Sequence, residues 1–170
     1  MKIIVNDANI LIDLIKLGLL PHFFGLEFQF HVTVMVLSEL ITSQAEALAP
    51  YIDKGTLQVY EITSEDLGTI IKLTNQYPRL SNKDCSALHH ATKLNALLIT
   101  SDNQLRTTAQ SVKLEVHGHL WVFDRMVAAD TITGTRACEK LSELCETINP
   151  KLGLPKAECA KRIKLWRTYR

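Results

Sequence analysis

No Cys-x-x-Cys pair, no His-Glu-x-x-His segment and no glycine-rich phosphate loop occurs in the 170 residues. The first two absences exclude the common structural zinc sites and the zinc peptidases, and the third excludes nucleotide binding through a P-loop or dinucleotide fingerprint. Cys85, Cys138, Cys145 and Cys159 stand at no ligand-like spacing with histidine. In a reducing compartment they read as small buried hydrophobes, neither disulfide-bonded nor metal-bound. Of the six histidines, adjacent His89 and His90 project about 100° apart on a helix, poor geometry for a shared ion. The histidines therefore read as ordinary surface or interface residues. Aromatics make up only 6% of the chain, which offers no obvious platform for stacking unpaired bases. No apolar run is long enough to span a bilayer, and the first residues read as a strand entering a helix with no basic leader or cleavage site. The expected location is the cytoplasm, away from membrane.

What is present is a core-forming composition, 46% apolar, sufficient for one domain. Short apolar runs alternate with longer helical patterns, which predicts α/β architecture with a parallel sheet. Strands are expected over 2–6, 29–33, 57–61, 97–100 and 115–117. Helices are expected over 8–17, 20–24, 34–41, 45–54, 64–76, 82–95, 103–111, 120–129, 137–148 and 157–169. Thr63 with Asp66, and Ser81 with Asp84, have capping-box spacing. Residues 149–155 form the one linker-like stretch.

Four acids fall where this pattern leaves a strand or enters a helix. Asp7 follows Ile3-Ile4-Val5-Asn6, and Asp102 follows Leu97-Leu98-Ile99-Thr100-Ser101. Glu39 lies in the helical stretch after the second strand, and Asp84 opens the helix leading into the fourth. Any one of them is adequately explained as a helix cap or a solvated charge. Together they are not, because ligands of open α/β sheets collect beyond the carboxyl ends of the strands, where all four would converge. Mg²⁺ or Mn²⁺ takes oxygen ligands, is held by one or two carboxylates, and leaves positions for phosphate oxygens and water. The chemistry expected of Asp7, Glu39, Asp84 and Asp102 is therefore metal-dependent phosphodiester hydrolysis without a covalent intermediate. Asn9, Thr100 and Ser101 are placed to orient the carboxylates, and Lys83 and Arg106 to meet phosphate.

The net charge of +1 conceals an asymmetry: residues 156–170 carry Lys156, Lys161, Arg162, Lys164, Arg167 and Arg170 against the single acid Glu158, leaving −4 on the rest. Cys159, Ile163 and Trp166 recur at i, i+4, i+7, so this tail reads as an amphipathic helix docked by its apolar stripe. Lys161, Arg162 and Lys164 then face outward, toward RNA, an acidic partner or solvent.

The segments Val5-Asn6-Asp7-Ala8-Asn9, Leu37-Ser38-Glu39-Leu40, Ser81-Asn82-Lys83-Asp84 and Thr100-Ser101-Asp102-Asn103 resemble, in order and spacing, the acidic motifs of PIN-domain ribonucleases, among them the VapC toxins of VapBC toxin–antitoxin pairs. The likeness runs from Met1 to about Ala129. It implies a three-layer αβα fold with a five-stranded parallel sheet, a nuclease domain over 1–130, an RNA substrate, and a small antitoxin as partner; it says little of residues 131–170, whose own pattern leads us to expect a helical extension packed on the same domain. Ala8 stands where the family often has threonine or serine, and Asn6 where an apolar residue is common. A homodimer is expected from the same likeness and from the apolar concentration at Leu19, Leu20, Phe23, Phe24 and Leu26. The alternatives are a PIN-fold RNA- or protein-binding module, a housekeeping RNA-processing nuclease, and another doubly wound phosphohydrolase. One such family needs Asp-x-Asp after the first strand, and Asp7-Ala8-Asn9 lacks the second acid.

Overall fold

The computed structural model describes residues 1–169; Arg170, counted above in the basic tail, lies outside the described residues. Five strands, β1 (Ile3–Asn6), β2 (Gln29–Thr33), β3 (Leu57–Tyr60), β4 (Leu97–Ile99) and β5 (Val116–His117), form one parallel sheet in the order β3-β2-β1-β4-β5. β1 is central. It pairs with β2 through Ile4↔Phe30 and with β4 through Val5↔Leu98, so residues 7, 34 and 100 all emerge at one edge. Ile4, Val5, Leu97, Leu98 and Ile99 are buried, as expected of strands covered on both faces.

The helices are α1 (Ala8–Leu17), α2 (Leu20–Phe24), α3 (Val34–Leu37), α4 (Thr42–Asp53), α5 (Ser64–Gln76), α6 (Asn82–Leu94), α7 (Asn103–Ser111), α8 (His119–Ala128), α9 (Gly134–Glu143) and α10 (Lys156–Trp166). They complete a three-layer αβα arrangement. α6 packs directly on β1, β2 and β4, with α3, α5 and α7 against it, while α2, α9 and α10 gather around α8. α1 stops where the sequence pattern says it should, because Gly18 adopts φ 68° and its N–H returns to Leu14 and Ile15 carbonyls.

Four helices differ from expectation at an end by three residues or more: α4 begins at Thr42 rather than at 45, α10 ends at Trp166 rather than at 169, and two others depart further. The helix expected over 34–41 ends at Leu37, because the N–H groups of Glu39 and Leu40 bond back only three residues, to Val36 and Leu37. Glu39 consequently sits in a turn, and α4 begins at Thr42, where the Gln44 side chain accepts the Ile41 N–H at 3.2 Å. The helix expected over 137–148 starts at Gly134, since Thr133 caps it through the Arg136 N–H, and its last turn, Leu144–Ile148, is π-helical.

The apolar cluster assigned to a dimer surface is elsewhere. Leu19, Leu20, Phe23, Phe24 and Leu26 are all buried in the core, with Phe23, Phe24 and Phe30 in mutual ring contact. These five side chains close this chain's own interior. The C-terminal stripe does dock: Trp166 is buried against Phe123 and donates its indole N–H to Asp124 at 3.0 Å. Gly134 lies so close beneath the end of α10 that a Cβ there would meet the Trp166 carbonyl. Only Cys85 is buried; Cys138, Cys145 and Cys159 are half-buried, and all four are free thiols.

Candidate metal centre at the carboxyl edge of the sheet

Asp7 leaves β1 in extended conformation and caps α1, its Oδ1 accepting the Ala8 N–H at 2.7 Å. Thr100, one residue past β4, donates its hydroxyl to Asp7 Oδ2 at 2.7 Å. Strand pairing brings these two residues together across 93 positions of sequence. The Asp7 side chain is 3% exposed. Burial pushes its carboxyl up to about 6; the Thr100 hydrogen bond opposes that shift, and the negative charges of Asp84 and Glu39 add to it. Asp7, Glu39 and Asp84 come from the end of β1, the exit of α3 and the first turn of α6, yet the charges of the last two both bear on Asp7 at a single edge.

Each of the other acids is tied to a neighbour. Asp84 completes a capping box on α6, its Oδ2 accepting both the Ser81 N–H and the Ser81 hydroxyl at 2.8 Å. Glu39 pairs with Lys83 at 3.5 Å. Asp102 caps α7 through the Leu105 N–H at 2.7 Å, and its own N–H donates to Thr100 Oγ1 at 3.0 Å. Asp102 therefore joins the group through Thr100.

This donor set fits a hard divalent cation. It offers oxygen only, and it buries a carboxylate whose ionisation its neighbours oppose, a penalty that a cation removes. Among the described residues, no three acidic, histidine or cysteine side chains already form an ion cage. Glu39 is instead paired with Lys83, Asp84 with Ser81 and Asp102 with the Leu105 amide.

The surrounding polar residues divide. Thr100 holds Asp7, as above. Asn9 is exposed on α1 and makes no hydrogen bond to the acids, because position 9 faces outward when position 8 faces the core. Ser101 is half-buried, also without such a bond. Arg106 reaches back from α7 to donate to the Thr100 carbonyl at 3.0 Å. Lys161 and Lys164 are exposed, but Arg162 is committed internally, to Asp124 at 2.8 Å and Glu158 at 2.6 Å.

The histidines are not the surface residues that their sequence context suggested. His119 is buried and bonds Asp13 Oδ2 at 2.9 Å, and Asn149 of the linker-like stretch donates to the same oxygen at 3.0 Å. His90 is buried, hydrogen-bonded to His31 at 3.1 Å and stacked on Tyr60. His89 bonds Asp66 at 2.7 Å. Asp66, recognised only as a capping residue, also accepts from Thr63, Tyr60 and Lys93, and these donors, His89 foremost, hold its carboxyl well below the usual range. Behind the acids, the buried hydroxyls of Thr33 and Ser86 meet at 2.7 Å, linking the cap of α3 to the first turn of α6. Nor is a stacking surface absent: His117 lies flat on Trp121, 4.5 Å apart at 10°.

No curated protein matches the chain. A family model described as a PIN domain matches residues 3–164, running beyond the region of motif likeness through most of the C-terminal helices. With the sheet order and the carboxylate edge in agreement, the chain belongs to the PIN domain family.

Proposed function

We propose that this chain is a divalent-metal-dependent endoribonuclease, with Asp7, Glu39 and Asp84 as principal ligands and Asp102 completing the site. PIN domains are usually nucleases and generally use divalent ions, which supports hydrolase chemistry at a coarse level. The observation that carries the reading is a buried Asp7 at the carboxyl edge of the sheet, its carboxyl pushed up by burial and further by the charges of Asp84 and Glu39. Mg²⁺ or Mn²⁺ supplies charge neutralisation for the phosphodiester and a more acidic water. The protein's own part is orientation. Thr100 fixes one Asp7 oxygen and the Ala8 amide the other, so the carboxylate has a defined direction. The Ser81 box holds one Asp84 oxygen and leaves the other for a ligand. Lys83 keeps Glu39 in place until a cation competes for it.

The decisive experiment incubates the purified chain with mixed RNA and DNA substrates and Mg²⁺ or Mn²⁺, with EDTA and Asp7→Asn as controls. Cleavage of single-stranded RNA that both controls abolish is the expected result; cleavage that survives them overturns the assignment. A toxin role rests on the order of the motifs alone. A small DNA-binding protein encoded immediately upstream supports it, and an isolated gene favours housekeeping RNA processing.

A further inference from the structure

Beside the acids runs a polar groove of about 480 Å³, walled by Ser101, Asn103, Arg106, His117, Trp121 and the 152–155 stretch. Thr100 connects the two places: its hydroxyl holds Asp7, and its carbonyl accepts from Arg106 Nη2. Only one guanidinium nitrogen is engaged there. Gly118 makes room for that group, since a Cβ on residue 118 would lie 2.6 Å from Arg106 Nη2. The groove also takes in the first turn of α8, whose N-cap Gly118 has no side chain to satisfy the turn's free N–H groups. His119 belongs to the same wall; it is 2% exposed, its Nε2 goes to Asp13, and its Nδ1 has no partner among the described residues. A forked cation and a free helix N-terminus both favour an anion with several oxygens. The flat His117–Trp121 stack on the same wall favours an aromatic ring beside it.

We infer that this groove is a nucleotide subsite for single-stranded RNA: Arg106 and the α8 N-terminus bind the phosphate next to the scissile bond, and the His117–Trp121 stack carries its base. The inference rests on the nuclease reading for the word scissile, but not for binding. The 152–155 stretch bounds the groove on its far side, so the strand passes between that stretch and α7, toward Asp102.

The test uses the full chain in EDTA, so that affinity is read without cleavage, with a short mixed-sequence fluorescein-labelled RNA followed by anisotropy across a salt series. Arg106→Gln and Gly118→Ala should each weaken binding about tenfold at low salt, the effect of one charge-assisted hydrogen bond, and each should lower the salt slope by about one. At Gly118, whose φ of −133° alanine adopts freely, a Cβ displaces chiefly the far end of the Arg106 side chain and meets the Thr100 carbonyl at 3.3 Å, so Gly118→Ala probes the groove even where Arg106→Gln lowers stability. Arg106→Lys should keep the slope while recovering part of the affinity. Unchanged affinity and slope in both Arg106→Gln and Gly118→Ala overturn the subsite, whether or not the wild type cleaves. Loss of affinity in both with no metal-dependent cleavage by the wild type keeps the subsite and discards the nuclease reading.

Discussion

Asp7 is held at a loss. A carboxylate that is nearly fully buried and faces two further acids carries its charge against desolvation and repulsion, and two hydrogen bonds only partly offset this. Asp7→Asn should therefore stabilise the metal-free protein by roughly 1–3 kcal/mol at neutral pH, while abolishing cleavage. Thermal melting in EDTA checks the first outcome. Millimolar Mn²⁺ should raise the melting temperature of the wild type and leave the variant nearly unchanged, because an ion bound only by the native state stabilises it by mass action. Thr100→Val should act oppositely, removing the hydroxyl donor to Asp7 and the acceptor of the Asp102 N–H, at a cost of roughly 1–3 kcal/mol. At this scale the sequence carried the acids' positions, because strand-end carboxylates are visible in the hydrophobic pattern. It also gave Ser81 as the capping partner of Asp84 and Thr100 as a residue orienting the carboxylates, but not that Thr100 holds Asp7. Thr100 lies 93 residues from Asp7, His119 lies 106 from Asp13 and His31 lies 59 from His90, and no local rule links residues so far apart. Arg106 was legible as a candidate phosphate contact, but Gly118 was not: a glycine between elements signals a turn, and only the fold shows which guanidinium it admits.

Among the elements, α6 is pinned at both ends by polar contacts. Near its start Ser86 meets Thr33, and farther along His90 contacts His31 and Tyr60 while His89 and Lys93 hold Asp66 of α5. Burial lowers His90 to about 4 from 6.5, and the charges of His31, His89 and Lys93 add to that. Between those two pH values the unfolded chain takes up a proton that the native state refuses. Stability should accordingly fall as pH drops from 6.5 toward 4, by on the order of 1.4 kcal/mol per pH unit, and level off below. His90→Gln should flatten that part of the curve. The Asp66 contribution has the opposite origin, a depressed carboxyl, and belongs to a lower window: it is complete above about 3.8 and disappears as pH falls beneath it. Urea titrations across pH 3–7 separate the two. Element boundaries were well marked where a capping residue or glycine punctuates the chain, as at Asp7, Thr63, Ser81 and Gly18. They were missed where backbone hydrogen bonding changes type without such a marker, as after Leu37 and Glu143.

For the molecule as a whole, α10 is a brace more than a free basic surface. Asp124 accepts from both Arg162 and Trp166, so Arg162→Gln should lower stability by about 1 kcal/mol, whereas Lys161→Gln and Lys164→Gln should leave it within about 0.5 kcal/mol. Denaturant midpoints check this, and RNA binding in the same three variants shows whether the exposed lysines contribute any salt dependence. The charge asymmetry was legible in the sequence, but which cation is internally paired depends on α8 and α10 meeting across 38 residues.

The sheet order sets a schedule. Because β1 lies between β2 and β4, the partner on one side is made early and the partner on the other, beginning at Leu97, emerges from the ribosome only after more than half the chain. Until then β1 is an open edge, Asp7 lacks its Thr100 hydroxyl, and the groove beside Asp102 has neither floor nor far wall. Contacts of such long range form late in folding. The carboxyl-edge site proposed above therefore cannot assemble until the second half of the chain has been made.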